Sequence, residues 1–180
     1  MANNAWGVTL ISAQVAGAAL SASTTPTSLL PGAARLNFPS NYWAIGTQFK
    51  VHASGIISTA GAAPGTLTLD FRVGGTVVFN GGASPTLAVS AVNLTWVWDF
   101  ILTCRSIGNG TNATAIGTGV LTSAALSAAT PIMLTPASAP AVGTGFDSTA
   151  SNYLDLFATF SVNSASNSIQ LLQYGCSMMN

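Results

Sequence analysis

The chain has 180 residues, enough for one domain with a real core, and a net charge of zero. Only 4% of its residues are charged and glutamate is absent, whereas 49% are hydrophobic. That balance excludes a disordered chain, which is poor in apolar residues, and a nucleic-acid binder, which needs clustered cations to displace counterions from phosphates.

The N-terminal stretch "MANNAWGVTLISAQVAGAALSAS" has an apolar run, but no Lys or Arg precedes it and Gln14 interrupts it. It reads as a retained, ordered N-terminus and not as a signal peptide. No window of about 20 apolar residues is free of Gly, Ser, Thr or Asn, so a transmembrane helix and a membrane partner are not expected. Residues 1–45 contain Pro26, Pro31 and Pro39 without a sustained hydrophobic period. Proline fixes φ and removes a donor, so this segment reads as an extended arm with one short strand near Trp6–Gln14. Trp6, Leu29, Leu30, Phe38 and Trp43 are too apolar to remain in water. They are expected to lie on the chain's own domain or on a partner, and are candidate partner contacts.

From residue 46 to 180 the pattern is strand and turn. "TQFKVHASGIIS" places Phe49 and Val51 on one face, with His52 outward. "TLTLDFRV" alternates Leu67, Leu69, Phe71 and Val73 inward against Thr66, Thr68, Asp70 and Arg72 outward. Gly74-Gly75 is a two-residue hairpin turn, and "TVVFN" returns with Val77 and Phe79 inward. In "LTWVWDFILTCR", Trp96, Trp98, Phe100 and Leu102 make one face. The opposite face carries Val97 and Ile101 among polar residues, drier than a solvent-facing strand requires. These two side chains are expected to be covered by a second subunit, by the arm or by a loop. The glycines of "AIGTGVLTS" indicate a bulge or close backbone approach. A short strand at Ile132–Leu134 lies between prolines, and "YLDLFATFSV" and "SIQLLQYGCSMM" close the chain. About eight antiparallel strands, with no convincing helix, predict an all-β two-sheet sandwich of the jelly-roll kind.

Catalytic chemistry is thin. Asp70, Asp99, Asp147 and Asp155 lie in distant segments and are expected to pair with Arg72, Lys50 or Arg105 across strands. His52 is the single histidine, and nothing in the spacing gives it a nucleophile. No zinc-ligand cluster and no phosphate loop is present, so neither cofactor nor metal is expected, and the chain does not read as an enzyme. Cys104 and Cys176 read as buried free thiols. Three Asn-X-Thr sequons carry little weight in a chain this rich in Asn and Thr. Near-zero charge promotes association, which suits a component fixed in an assembly.

Three blocks, "LDFRVGGTVVFNGG", "WVWDFILTCRSIGNG" and "LDLFATFSVNSASNSIQLLQYGCSM", together resemble a pattern of tailed-bacteriophage virion proteins. The likeness runs from about Gly65 to Met178 and leaves out the arm. It is similar to jelly-roll decoration (cement) proteins and to head-fibre or tail accessory proteins, which commonly trimerise. The resemblance implies a structural role: a homotrimer on the outer surface of the virion, made in the host cytoplasm and bound to the major capsid protein. The alternative is a head-fibre or tail accessory protein with a carbohydrate-binding or host-adhesion role, since jelly rolls also serve as lectins.

Overall fold

A computed structural model describes residues 8–127 and 131–179. Trp6 lies outside the described residues. The rest form two antiparallel sheets packed face to face, as the alternation predicts. The larger sheet contains β1 (Val8–Ser12), β5 (Gln48–Ser58), β8 (Leu94–Ser106), β9 (Thr114–Ser123), β10 (Ile132–Thr135) and β12 (Ser168–Met179). Their order is β1-β12-β5-β8-β9-β10, with the short β2 (Leu20–Ser21) added beside β12. The smaller sheet runs β3-β11-β6-β7, from β3 (Thr27–Ser28), β11 (Asn152–Phe160), β6 (Leu67–Val73) and β7 (Thr76–Ala83), with β4 (Asn37–Phe38) also paired to β11. The described residues hold more strands than the eight expected, because β2, β3 and β4 are two-residue pairings inside the proline-rich segment, too short to show a period.

The core lies between the sheets. Trp96, Trp98, Phe100 and Leu102 point inward from β8 and are buried. Phe100 packs edge-on against Phe71 at 5.1 Å between ring centroids, and Trp98 stacks on Phe79 at 5.4 Å. The Trp98 indole N–H donates to Thr135 Oγ1 at 3.0 Å, tying β8 to β10. On β9, Gly117 lies against the Phe79 ring, where a Cβ would collide, and Gly119 against the backbone of Asp99. These are the close approaches that the glycine spacing predicts.

Gly74 and Gly75 have φ of 57° and 87°, as a two-residue hairpin turn with positive φ at both positions requires. The returning strand differs from expectation. A bulge between the Phe71 and Arg72 pairings adds a residue to β7, so Val78 and Phe79 are buried and Val77 is only half-buried.

The segment before residue 46 is built into the sandwich and does not stand apart from it. β3 and β4 pair with β11, and β1 and β2 pair with β12. Leu29, Leu30, Phe38 and Trp43 are buried in the common core. Phe38 stacks on Tyr42 at 4.5 Å, and Trp43 meets Phe49 at 5.1 Å and Phe146 at 4.8 Å. The four side chains expected as partner contacts therefore find their cover within the chain. The prolines keep the segment extended, which lets it run along the sandwich and add short pairings where the register permits.

Two aspartates expected to face outward are buried. Asp70 is closed over by Arg72, whose Nε and Nη2 donate to it at 2.5 and 3.2 Å while the guanidinium sits 3.8 Å above the Phe157 ring. The partner is on the same strand, not across it. Asp155 is covered by the N-terminal segment. Arg35 Nε lies 3.0 Å from Oδ2, and Ser28 Oγ donates to Oδ1 at 2.5 Å. Burial raises the Asp155 carboxyl above the ordinary carboxylate range, and the Ser28 hydroxyl and the Arg35 charge pull it partway back. Cys104 and Cys176 are free and buried, as expected. Desolvation pushes the Cys176 thiol up to about 12.

Candidate functional site: the outer face of the larger sheet

The outer face of the larger sheet is where polar and apolar side chains meet solvent together. Antiparallel pairing puts residues opposite one another on the same face. One row crosses all six strands: Ser12, Gly175, His52, Asp99, Val120 and Leu134. A second contains Ser177, Lys50, Ile101 and Thr118. A third contains Gln173, Ser54, Val97, Thr122 and Ile132.

The rows show a division across the sheet. On the β8–β9–β10 side apolar side chains reach solvent among the exposed threonines Thr118 and Thr122. Ile101 is 39% exposed, Ile132 60% and Leu134 71%, with Val97 and Val120 half-buried between them. On the β12–β1 side the exposed apolar residue of β12 is Leu172, at the irregularity between the Leu171 and Gln173 pairings. Gly175 leaves open space where a side chain would stand, and a notch of about 360 Å³ opens there, lined by Ser12, Ala13, His52, Gln173, Tyr174 and Gly175.

The charged side chains stand on the two middle strands, β5 and β8, with Arg105 exposed near the end of β8. His52 and Asp99 are a directly opposed cross-strand pair, and His52 Nδ1 lies 2.7 Å from Asp99 Oδ1. Lys50 stands two residues along β5 from His52, on the same face. A shallower hollow of about 230 Å³, bounded by Lys50, Asp99, Ile101 and Thr118, sits beside the pair. Chemically this is a small charged island among hydroxyl, amide and apolar side chains. It can pair with complementary charge, and it offers a shaped surface on either side.

Of the residues singled out from sequence, Val97 and Ile101 are on this face, over which no strand of the described residues is stacked. Leu29, Leu30, Phe38 and Trp43 are not brought to it. Val120, Ile132, Leu134, the His52–Asp99 pair and the Gly175 notch also belong to the face, and sequence reading did not join them. The signal was present for Val120 and Leu134, both at alternate positions in short strands. Their common side depends on the β8-β9-β10 order, which no local pattern carries.

No family model matches the chain, and no curated protein matches it. Among solved structures it is similar to three plant lectins. Lectin I-B4 from Griffonia simplicifolia, in its metal-free form, matches with 10% identity and a TM-score of 0.32, over 86% of this chain and 78% of that one. A lectin from Bauhinia forficata, in complex with GalNAc, matches with 10% identity and a TM-score of 0.33, over 97% and 98%. The winged bean acidic lectin, complexed with methyl-alpha-D-galactose, matches with 8% identity and a TM-score of 0.31, over 98% and 99%. At this distance the likeness establishes nothing about what the chain binds.

Proposed function

We propose that the chain is a structural virion protein, a capsid decoration protein that associates with copies of itself and with the major capsid protein of a tailed phage. One observation carries the reading. The chain satisfies its core internally, yet leaves Ile101, Ile132 and Leu134 exposed on a broad sheet face. A contiguous exposed apolar patch marks an interaction site. A chain with so few charges depends on such cover, because little self-repulsion keeps it apart from other molecules. The sequence resemblance to decoration proteins supplies the setting, and the reading assigns no reaction to the protein.

Host adhesion through glycans is the other reading. Sugar rings are commonly held on exposed aromatic faces, and here Trp43, Trp96 and Trp98 are all in the core.

The test is co-sedimentation of the purified protein with phage capsids lacking it, followed by electron microscopy. Stoichiometric binding with added density on the capsid exterior is expected. Absence of binding to capsids, combined with binding on a glycan array, would replace this reading with the adhesion one.

A further inference from the structure

The outer face of the larger sheet is self-complementary, and we propose that its occupant is a second copy of this chain, packed face to face about a two-fold axis. This rests on reading the face as an assembly contact, not on the identity of the assembly. Six strands in the order β1-β12-β5-β8-β9-β10 divide evenly at the boundary between β5 and β8. A two-fold axis lying between two such faces, parallel to the strands and over that boundary, sets β10 over the partner's β1, β9 over β12, and β8 over β5. The contact is isologous, so each fit on one side is repeated on the other.

Three features match under that operation. The exposed Leu134 meets the notch at the partner's Ser12 and Gly175, two places in the same cross-strand row. Val120 lies over the partner's Gly175, where no Cβ stands in the way. Asp99 on β8 faces the partner's His52 on β5, and the partner's Lys50, which lies over Ile101 one row along, reaches Asp99 diagonally, so carboxylate and ammonium come together at the centre. Sheets packed in this way lie about 10 Å apart with strands crossing by roughly 30°, which shifts the outer contacts without exchanging which strands meet.

Edge pairing explains the apolar patch less well. β10 has four residues and is bounded by Pro131 and Pro136. Short edges flanked by proline resist the addition of another strand. What β10 offers is the Ile132 and Leu134 side chains, which project from the face. The three-fold assembly implied by the resemblance would need a different surface from this one.

The experiment is sedimentation of the full chain at micromolar concentration. The wild type is expected at twice the 18.1 kDa chain mass. Leu134→Asp, which places a charge against the partner, and Gly175→Val, which fills the notch, are each expected to weaken the dimer by about tenfold or more. Both positions face open space in the monomer, so each variant should keep the wild-type far-UV spectrum and still melt cooperatively, while its midpoint loses the dependence on protein concentration that a dimer gives the wild type. Should Gly175→Val fail to fold, Leu134→Asp decides the matter alone. Lys50→Asp and Asp99→Lys should each be monomeric, and their equimolar mixture should restore the dimer, because each then meets its opposite charge across the axis. A wild type that sediments as a monomer overturns the proposal. So does an assembly of any order that Leu134→Asp leaves intact. Neither result bears on capsid binding, which co-sedimentation with capsids reads separately.

Discussion

Replacing Trp43 with alanine tests whether the N-terminal segment belongs to the fold. Trp43 is buried among Phe38, Phe49 and Phe146, with ring centroids 4.8 to 5.6 Å away. Deleting a buried tryptophan side chain costs about 3–5 kcal/mol. Its indole N–H is buried without a partner among the described residues, so the substitution also removes an unmade hydrogen bond. Allowing about 1 kcal/mol for that relief leaves a loss of about 2–4 kcal/mol. In a domain of this size each kcal/mol moves the midpoint by roughly 2–4 °C, so Tm should fall by roughly 4–16 °C. Trp43→Phe keeps most of the aromatic contact and drops the orphan donor, and should cost less than about 1.5 kcal/mol. The assay is thermal unfolding followed by near-UV circular dichroism at one fixed protein concentration. An unchanged Tm for Trp43→Ala, beside a clear drop for Phe49→Ala, would show that Trp43 is not in the core and would return the segment to the role of a separate arm.

Deleting residues 1–45 should abolish cooperative unfolding, since it strips Leu29, Leu30 and Phe38 from the core and uncovers the Asp155 carboxylate; a soluble, cooperatively melting product would refute this. Arg35→Ala should destabilise by about 1–3 kcal/mol at neutral pH, because a buried carboxylate loses its charged partner. That deficit has a sign in pH. Asp155 already has a raised folded-state pKa, so the folded protein holds its proton more tightly than the unfolded chain, and the cost of the buried charge disappears as pH falls through the folded value. Removing Arg35 raises the value further, so variant and wild-type stabilities should converge in acid; a constant gap in denaturant titrations across that range would count against it. Both thiols should resist a disulfide reagent in the native state and react on unfolding, since burial raises each of them; rapid native labelling would be inconsistent with the fold.

The tryptophan strand was legible because Trp96, Trp98, Phe100 and Leu102 repeat at period two over a long strand with a buried face, which fixes register strongly. The glycine hairpin was legible because positive φ at two successive residues demands glycine. Legibility ended where a single extra residue changed the side. The β7 bulge moved burial from Val77 to Val78, and nothing in "TVVFN" marks where a strand gains a residue. It ended again at Asp70 and Asp155. Both occupy outward registers, as their alternation says, but outward from a sheet is not the same as toward water. Arg72 lying on Phe157 and Arg35 arriving from the proline-rich segment close over the two carboxylates on the outer side of the smaller sheet.

Those contacts bear on which sheet face keeps free charge. The N-terminal segment contributes β3 and β4 to the edge of the smaller sheet and Arg35 to its outer side, where four of the chain's eight charged residues, Arg35, Asp70, Arg72 and Asp155, form two pairs. Such pairs are already neutralised and partly desolvated, so a partner binding there would gain little new electrostatic contact. Across the sandwich, β1 and β2 extend the edge of the larger sheet without crossing its outer surface. The His52–Asp99 pair and Lys50 there are exposed and can still exchange water for a partner. The segment read from the prolines as an arm is thus part of the fold, and its charge closes a pair on the smaller sheet. By neutralising Asp155 on one sheet, Arg35 leaves Lys50, His52 and Asp99 as exposed charges of the other, beside the apolar Val97 and Ile101.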